Sequence, residues 1–321
     1  MGNFDAATRL QRLKQPSMSR PTGGGTTRFT LPKAGLLAGI RLNVTGAVSG
    51  TLSAQNALGF SSILNRVRVV VNNGQDLINI SGAGYHYLLR QFINDYRDPV
   101  NAATGRTAIT ATTYDISMYL PIALNIRDAT GLFPLQNEQT TVNLELDWLA
   151  DASVATGATV TGTAVPQLDL FTIPARREDY PPLNLVQQII EETVTVSGAG
   201  DVTYNFPRGS RYLQMLMGLG IGASGSDGWS AAKLRMQQAN FFVDTTPTLL
   251  TQEYAESHLA ARLAGTIPFD FIGSSGLGTF GKVRDAIDSS QLTDLAAIVT
   301  ATGAGTLYAL RRQLTVVEQM G

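Results

Sequence analysis

The two histidines are the first side chains to consider for chemistry, because imidazole serves both as a metal ligand and as a general base. They are the only histidines of the chain, and each lies four residues before an arginine, in HYLLR (86–90) and HLAAR (258–262). A metal site needs histidines clustered with one another or with a carboxylate, whereas His86 and His258 lie 172 positions apart. We therefore interpret both as helix-packing or capping residues, and we expect no metal and no cofactor.

Other catalytic patterns are weak. The chain has no cysteine, which excludes thiolate nucleophiles and zinc sites built on cysteine. Two histidines and the lack of a G-x-S-x-G elbow argue against a Ser-His-Asp triad. Gly276–Gly281 matches G-x-G-x-x-G, but the following KVRDAIDSS (282–290) is too short and broken for the helix that a dinucleotide site requires. We interpret this segment as a loop between strands.

Glu145 and Asp147 could in principle supply the paired carboxylates of a glycoside hydrolase. They alternate onto the outer face of one predicted strand, VNLELDW (142–148), where a solubility role accounts for them. Carbohydrate binding would call for exposed aromatic side chains, but the chain has only two tryptophans. Because Trp148 falls on the apolar face of the same strand, we predict that it belongs to the core.

Composition favours a well-buried globular protein. Of the 321 residues 44% are hydrophobic and only 15% are charged, which suits a surface covered by neighbouring molecules. The length allows two domains or one large β domain. The formal net charge of −1 gives the molecule no general attraction for a polyanion. We expect no sequence-specific nucleic-acid binding.

Alternation of polar and apolar residues with a period of two predicts many short strands. Clusters of glycine, asparagine, serine and threonine separate them, as in NNGQ (72–75) and GASGSDG (222–228). This pattern is typical of sandwiches and barrels. The predicted strands include the segments 40–45, 67–69, 116–120, 142–148, 202–206 and 267–271.

Helical spacing is confined to three places. The segments 85–96 and 252–263 are the clearest, and residues 4–14 form a looser stripe that predicts a short N-terminal helix. The prolines and charges of PARREDYPPLN (174–184) indicate a linker between two domains.

The two halves of the chain repeat one another in order. FTLPK (29–33) and YNFPR (204–208) both read aromatic, polar, apolar, proline, basic. We further align Val71 and Leu77-Ile78 with Val243 and Leu249-Leu250, and the two histidines with each other, at an offset of 172. A fourth match joins 126–129 to 283–286. The collinear order predicts a duplicated unit of about 140–150 residues, the size of a jelly roll.

Two tandem jelly rolls in a cysteine-free chain resemble the double jelly-roll major capsid proteins of tailless icosahedral viruses, including phages with an internal membrane. RVRVVVNNGQDLINISGAGYHYLLRQF (66–92) resembles the strand–turn–strand–helix part of such a roll, and GLFPLQNEQTTVNLELDW (131–148) resembles its later turn and strand. The second half departs from the pattern, because 286–300 lacks the FPLQ turn.

The resemblance implies an all-β fold of two tandem eight-stranded jelly rolls with a few short helices. The predicted domains are an N-terminal arm (1–24), a first roll (25–178) and a second roll (179–321). The implied function is that of a structural, non-enzymatic capsid subunit. It would form pseudo-hexagonal homotrimers in a virion shell, assembled in the host cytoplasm with vertex or minor capsid proteins. The alternatives are a two-domain carbohydrate-binding or carbohydrate-cleaving β protein and a minor spike or vertex protein.

The arm carries the one basic cluster of the sequence, which also includes Arg20. A disordered tail is one interpretation. The other is a segment that orders on assembly, under a neighbouring subunit or against anionic lipid of an internal membrane. Its candidate contact residues are Phe4, Arg9, Leu10, Arg12, Leu13 and Lys14.

Overall fold

The computed structural model describes residues 9–72, 74–92, 104–124, 131–136, 139–172, 185–237, 240–258, 262–272 and 286–316. Most of the described residues lie in strands. The N-terminal half contains β1 (Arg9–Lys14), β2 (Met18–Ser19), β3 (Gly25–Thr30), β4 (Leu36–Ser49), β5 (Ser53–Gln55), β6 (Leu64–Val71), β7 (Gln75–Ile80), β8 (Thr113–Pro121), β9 (Phe133–Pro134), β10 (Val142–Trp148), β11 (Ala155–Thr156) and β12 (Thr159–Thr172). The C-terminal half contains β13 (Leu185–Val196), β14 (Gly200–Asn205), β15 (Arg211–Leu219), β16 (Trp229–Met236), β17 (Asn240–Thr245), β18 (Thr266–Asp270), β19 (Ile287–Asp288), β20 (Leu295–Ala301) and β21 (Gly305–Val316).

The helices are short. The α-helices are α1 (Asp151–Val154) and α2 (Pro247–His258). A π-helical turn at Gly84–Leu88 continues into a 3-10 turn at Leu89–Phe92, and we call the two together the 84–92 helix. Further 3-10 turns lie at Gly59–Ile63 and Ser289–Gln291. No helix among the described residues has the length and apolar character needed to span a membrane.

The chain divides into two compact units. Unit 1 comprises Met1–Gly82, Arg97–Ile189 and Thr315–Gly321, and unit 2 comprises Ala83–Tyr96 and Ile190–Leu314. The 84–92 helix therefore belongs to unit 2, although the strands that precede and follow it in sequence belong to unit 1. The domain limits predicted from the sequence stay a prediction.

Each unit contains two groups of four antiparallel strands. In unit 1 the orders are β1-β12-β4-β8 and β7-β6-β10-β3, and in unit 2 they are β13-β21-β15-β18 and β17-β16-β20-β14. The two orders match strand for strand: β1 corresponds to β13, β3 to β14, β4 to β15, β6 to β16, β7 to β17, β8 to β18, β10 to β20 and β12 to β21. The structure thus has the internal repeat that the sequence predicts.

The match between FTLPK and YNFPR is also a match in three dimensions. A row of cross-strand neighbours in unit 1 runs Phe29, Leu144, Val69, Ile78. The corresponding row in unit 2 runs Tyr204, Ala297, Leu234, Val243. Because each row runs across four strands, the two units have the same strand register around these segments.

Two of the proposed matches are wrong. Val71 ends β6 and Leu77-Ile78 lie in β7, whereas Val243 lies in β17 and Leu249-Leu250 lie in α2. In the structure the residue equivalent to Val243 is Ile78. The sequence alignment matches Val243 to Val71, which lies seven residues earlier. The histidines are not equivalent either, since His86 follows β7 by six residues and His258 follows β17 by thirteen. The fourth match and the predicted linker at 174–184 lie outside the described residues.

The predicted helix at 4–14 is wrong for its described part. Residues 9–14 form strand β1, which pairs along its whole length with β12, Leu10 opposite Phe171 and Leu13 opposite Leu168. The backbone hydrogen bonds of the arm are satisfied by this strand. The second predicted helix begins at Pro247, five residues earlier than expected. The first is helical from Gly84 to Phe92.

The inner faces of the paired sheets form the cores. In unit 2 the inner core includes Met215, Met217, Leu219, Trp229 and Leu307, all at most 2% exposed. In unit 1, Ile40, Leu42, Val44, Leu144 and Leu146 are likewise buried. Trp148 is 2% exposed and donates its indole N–H to Thr27 Oγ1 at 2.9 Å, which confirms its predicted place in the core.

We expect Leu144→Ala to lower the free energy of unfolding by about 2–5 kcal/mol, because it removes methyl groups from a fully buried position and leaves a cavity. Urea-induced unfolding at fixed protein concentration measures this change. Leu13→Ala is the matched control. Leu13 is 39% exposed, so its truncation should change stability by about 0.5 kcal/mol. Equal losses for the two variants would contradict the assigned core.

Candidate assembly surface

His86 lies inside the protein and is 1% exposed. Its Nδ1 is 3.4 Å from Nη1 of Arg90, one helical turn further along the 84–92 helix, and its ring packs edge-on to that of Tyr85, 5.0 Å between centroids. These contacts fit the predicted helix-packing role. His258 ends α2, and its side chain lies outside the described residues. Among the described residues no three metal-ligating side chains come together.

Glu145 and Asp147 are occupied by cross-strand contacts. Glu145 lies between Arg28 and Arg68 on the neighbouring strands, at 3.3 Å and 3.1 Å. Asp147 accepts hydrogen bonds from Thr26 Oγ1 at 3.3 Å and Asn65 Nδ2 at 2.5 Å. The two carboxylates therefore stabilise pairing of β10 with its neighbours. Gly276–Gly281 lies outside the described residues.

Unit 2 contains a partly buried polar network that the sequence did not reveal, with Arg311 buried and Glu192 46% exposed. Arg311 lies 2.7 Å from Glu192 and donates to the Tyr204 hydroxyl at 2.8 Å, and that hydroxyl donates to Glu192 at 2.6 Å. Burial alone would raise the pKa of Glu192, but the hydrogen bonds from Tyr204 and Arg311 lower it below its usual value. Burial and the bond to Glu192 raise the pKa of Tyr204. The network links β13, β14 and β21, and its arginine and glutamate are paired with each other.

Arg20 is a structural residue of unit 1, which corrects its assignment to the basic arm cluster. Its side chain is fully buried and donates to the carbonyls of Val160 at 2.7 Å and Leu149 at 2.6 Å. It also forms an ion pair with Asp151 at 2.5 Å. A cleft of about 450 Å³ beside it is lined chiefly by threonine and glycine. Arg20 and Asp151, the two charged residues that line the cleft, are paired with each other.

The predicted arm residues fall on opposite faces of a strand. Leu10, Arg12 and Lys14 share one face of β1, while Leu13 lies on the other, since side chains alternate along a strand. Leu10 and Leu13 are each 39% exposed. A single partner surface therefore cannot contact both Leu10 and Leu13. Phe4 lies outside the described residues, and of Arg9 only the backbone is described.

The outer face of the β1-β12-β4-β8 sheet carries a charge cluster. Asp169 of β12 is 1% exposed and lies between Arg12 of β1, at 3.4 Å, and Arg41 of β4, at 3.2 Å. The Arg41 guanidinium stacks over the ring of Tyr119, 4.8 Å from its centroid. Burial, reinforced by the charge of Asp169, raises the pKa of Tyr119 to about 12, against the opposing effect of Arg41 and Arg12.

This cluster links β1 of the arm to β12 and β4 through the contacts of Asp169. Asp169 is the only buried carboxylate among the described residues that contacts β1, and both arginines remain partly exposed, Arg12 at 57% and Arg41 at 44%. The tyrosine ring lies close over Gly39, where any Cβ would come within 2.8 Å of it. The result is a tight, polar and partly cationic surface rather than a catalytic centre.

Sequence comparisons identify no relative: no protein-family model matches the chain, and no curated protein matches it. Solved structures match it over nearly its full length. The crystal structure of the STIV MCP superimposes with a TM-score of 0.74 at 12% identity, covering 96% of this chain and 97% of that chain. This chain has the double jelly-roll fold.

Two further capsid structures agree. The PBCV-1 virus capsid matches with a TM-score of 0.68 at 10% identity, over 98% of this chain and 96% of that chain. The major capsid protein P2 from bacteriophage PM2 matches with a TM-score of 0.59 at 14% identity, over 98% and 100%. The predicted fold class, and the resemblance of the chain to double jelly-roll capsid proteins, are confirmed.

We expect Asp169→Asn to loosen β1 while the two cores stay intact. Hydrogen bonds to a charged group contribute about 1.5–3 kcal/mol, so amide hydrogen exchange in residues 9–14 should accelerate by about tenfold or more. The control is Asp147→Asn, which alters a carboxylate of the other sheet. Unchanged exchange in β1 would mean that backbone pairing with β12 holds the arm without the charge cluster.

Proposed function

We propose that this chain is the major capsid subunit of an icosahedral virus and has no catalytic role. The observation that carries the proposal is the full-length superposition on major capsid structures at nearly equal chain length. Glu145 and Asp147, the candidate catalytic carboxylates, are engaged in cross-strand contacts, which also favours a structural role over carbohydrate cleavage.

We propose further that the subunit forms homotrimers. Two units of the same strand order per chain give six similar modules in three copies, and these make a pseudo-hexagonal tile. Such tiles would build the virion shell, assembled in the host cytoplasm and completed by vertex or minor capsid proteins. Obligate interfaces of this kind bury on the order of 2,000–5,000 Å², which suits a chain with only 15% charged residues.

The arm has a smaller proposed role than the sequence predicted. Residues 9–14 are part of the unit 1 sheet, so the segment that could order on assembly is the one that precedes β1, including Phe4. We propose that this segment, with Leu10, Arg12 and Lys14, lies against neighbouring subunits or the headgroups of an internal membrane. The exposure of Leu10 supports the proposal.

The purified chain should run as a trimer, at about three times the chain mass of 34.3 kDa, in light scattering coupled to size exclusion. Negative-stain class averages should show six lobes. A monomer that binds immobilised glycans would instead favour the carbohydrate-binding alternative. A stable monomer without glycan affinity would contradict the trimeric subunit as well.

Deleting residues 1–8 should leave both the trimer and the thermal unfolding midpoint unchanged, because β1 keeps its pairing with β12. Deleting residues 1–20 should lower the midpoint by several degrees, since it removes β1, β2 and the buried Arg20. Size exclusion and thermal unfolding measure both variants. Dissociation of the trimer by the shorter deletion would show that the first eight residues hold the subunits together.

A further inference from the structure

The corresponding sheets of the two units differ in how their outer faces are covered. In unit 2 the outer face of β15 carries Gln214, Leu216 and Gly218, and the first two are at most 1% exposed. The 84–92 helix contacts β15 and β18. Its Leu88 lies so close to Gly218 that a Cβ there would be 3.0 Å from Leu88 Cδ2. The helix that follows β7 in sequence therefore covers this face.

The same face of unit 1 is exposed at its centre, judged on the described residues, and we call it the open face. The counterparts of Gln214, Leu216 and Gly218 are Gly39, Arg41 and Asn43, because the inner-face residues on either side of them correspond. Asn43 is exposed, and so are its neighbours Thr45 on β4 and Ser117 on β8. Where unit 2 has a glycine under a helix, unit 1 has an exposed amide at the centre of a polar sheet.

The helix that corresponds to the 84–92 helix in the repeat is α2, which follows β17. One side of α2 is fixed in its own unit by Leu250 and Tyr254, which are 5% and 3% exposed. The other side is exposed and carries Glu253 and Glu256, together with Leu249 at 56% exposure. The sequence of α2, PTLLTQEYAESH, contains no lysine or arginine.

The two surfaces have complementary charge. The open face of unit 1 presents Arg41 and, from β1, Arg12 and Lys14, while Asp169 is enclosed between the two arginines. Asp115 also lies on this face, opposite Thr45 on β4, and adds a second carboxylate to it. Arg12, Lys14 and Arg41 outnumber Asp115 and Asp169, so the described strands of this face carry a net positive charge, concentrated toward β1. The exposed side of α2 is acidic.

We propose that α2 of a second copy of this chain docks on the outer face of the β1-β12-β4-β8 sheet of unit 1. The inference rests on the proposed self-assembly and names its surfaces. The two surfaces are different patches of one chain, so the contact is heterologous, and such contacts form a ring when the rotation between successive copies closes. Three such contacts close a trimer. In it each unit 1 face is covered by a helix, as the unit 2 face already is.

The test uses Asn43, which is neutral and lies at the centre of the open face. Substitution there can introduce a charge of either sign. Asn43→Glu places a carboxylate opposite the acidic side of α2 and should raise the concentration for half-dissociation of the trimer at least tenfold. Asn43→Lys adds a side chain of similar length with the favourable charge and should leave that concentration unchanged or lower it. Glu256→Lys combined with Asn43→Glu should recover most of the lost affinity. Sedimentation velocity over a dilution series measures all of them.

Thr203→Glu is the matched control, since Thr203 is an exposed strand residue of β14 in unit 2, and it should assemble like wild type. Circular dichroism and thermal unfolding verify that each variant is folded. If Asn43→Glu assembles like wild type, or if Glu256→Lys does not rescue it, the docking site is elsewhere while the trimeric capsid subunit still stands. If the wild-type chain is monomeric at every concentration, the proposed function itself fails.

Discussion

The described sheets each bury one face in a core, and the structure depends on what happens to the other, outer face. The inner faces pair to form the cores, which leaves an outer face that must be polar or covered, because exposed apolar area is costly in water. Unit 2 meets the constraint with Leu216 and Gly218 buried under the 84–92 helix. Unit 1 meets it with polar side chains, which remain available for another molecule.

The two units share one strand register. The row Phe29, Leu144, Val69, Ile78 and the row Tyr204, Ala297, Leu234, Val243 occupy the same positions across four strands. A slip of one residue would turn every side chain to the opposite face. The cores could therefore diverge in size, as from Leu144 to Ala297, while the pairing stayed the same.

Carboxylates on the outer faces form ion pairs with arginines on the neighbouring strands. Glu145 joins Arg28 and Arg68, and Asp169 joins Arg12 and Arg41. The Glu145 pairs are partly exposed and contribute little stability one at a time. The Asp169 carboxylate is 1% exposed, so its contacts hold β1 more strongly. The residues that looked most like catalytic acids in the sequence serve this purpose.

The sequence by itself determined the strands that have one buried face, the place of Trp148 in the core, the repeat carried by FTLPK and YNFPR, and the fold class. Only the tertiary structure decided that residues 9–14 form a strand, that the two histidines are not equivalent, and that the 84–92 helix belongs to unit 2. The physical reason is the distance between partners along the chain. The hydrogen bonds of β1 come from β12, about 150 to 160 residues away. Leucines three residues apart share one face of a helix but lie on opposite faces of a strand, so the local spacing favoured the wrong structure. A short segment cannot specify a partner that only folding brings to it.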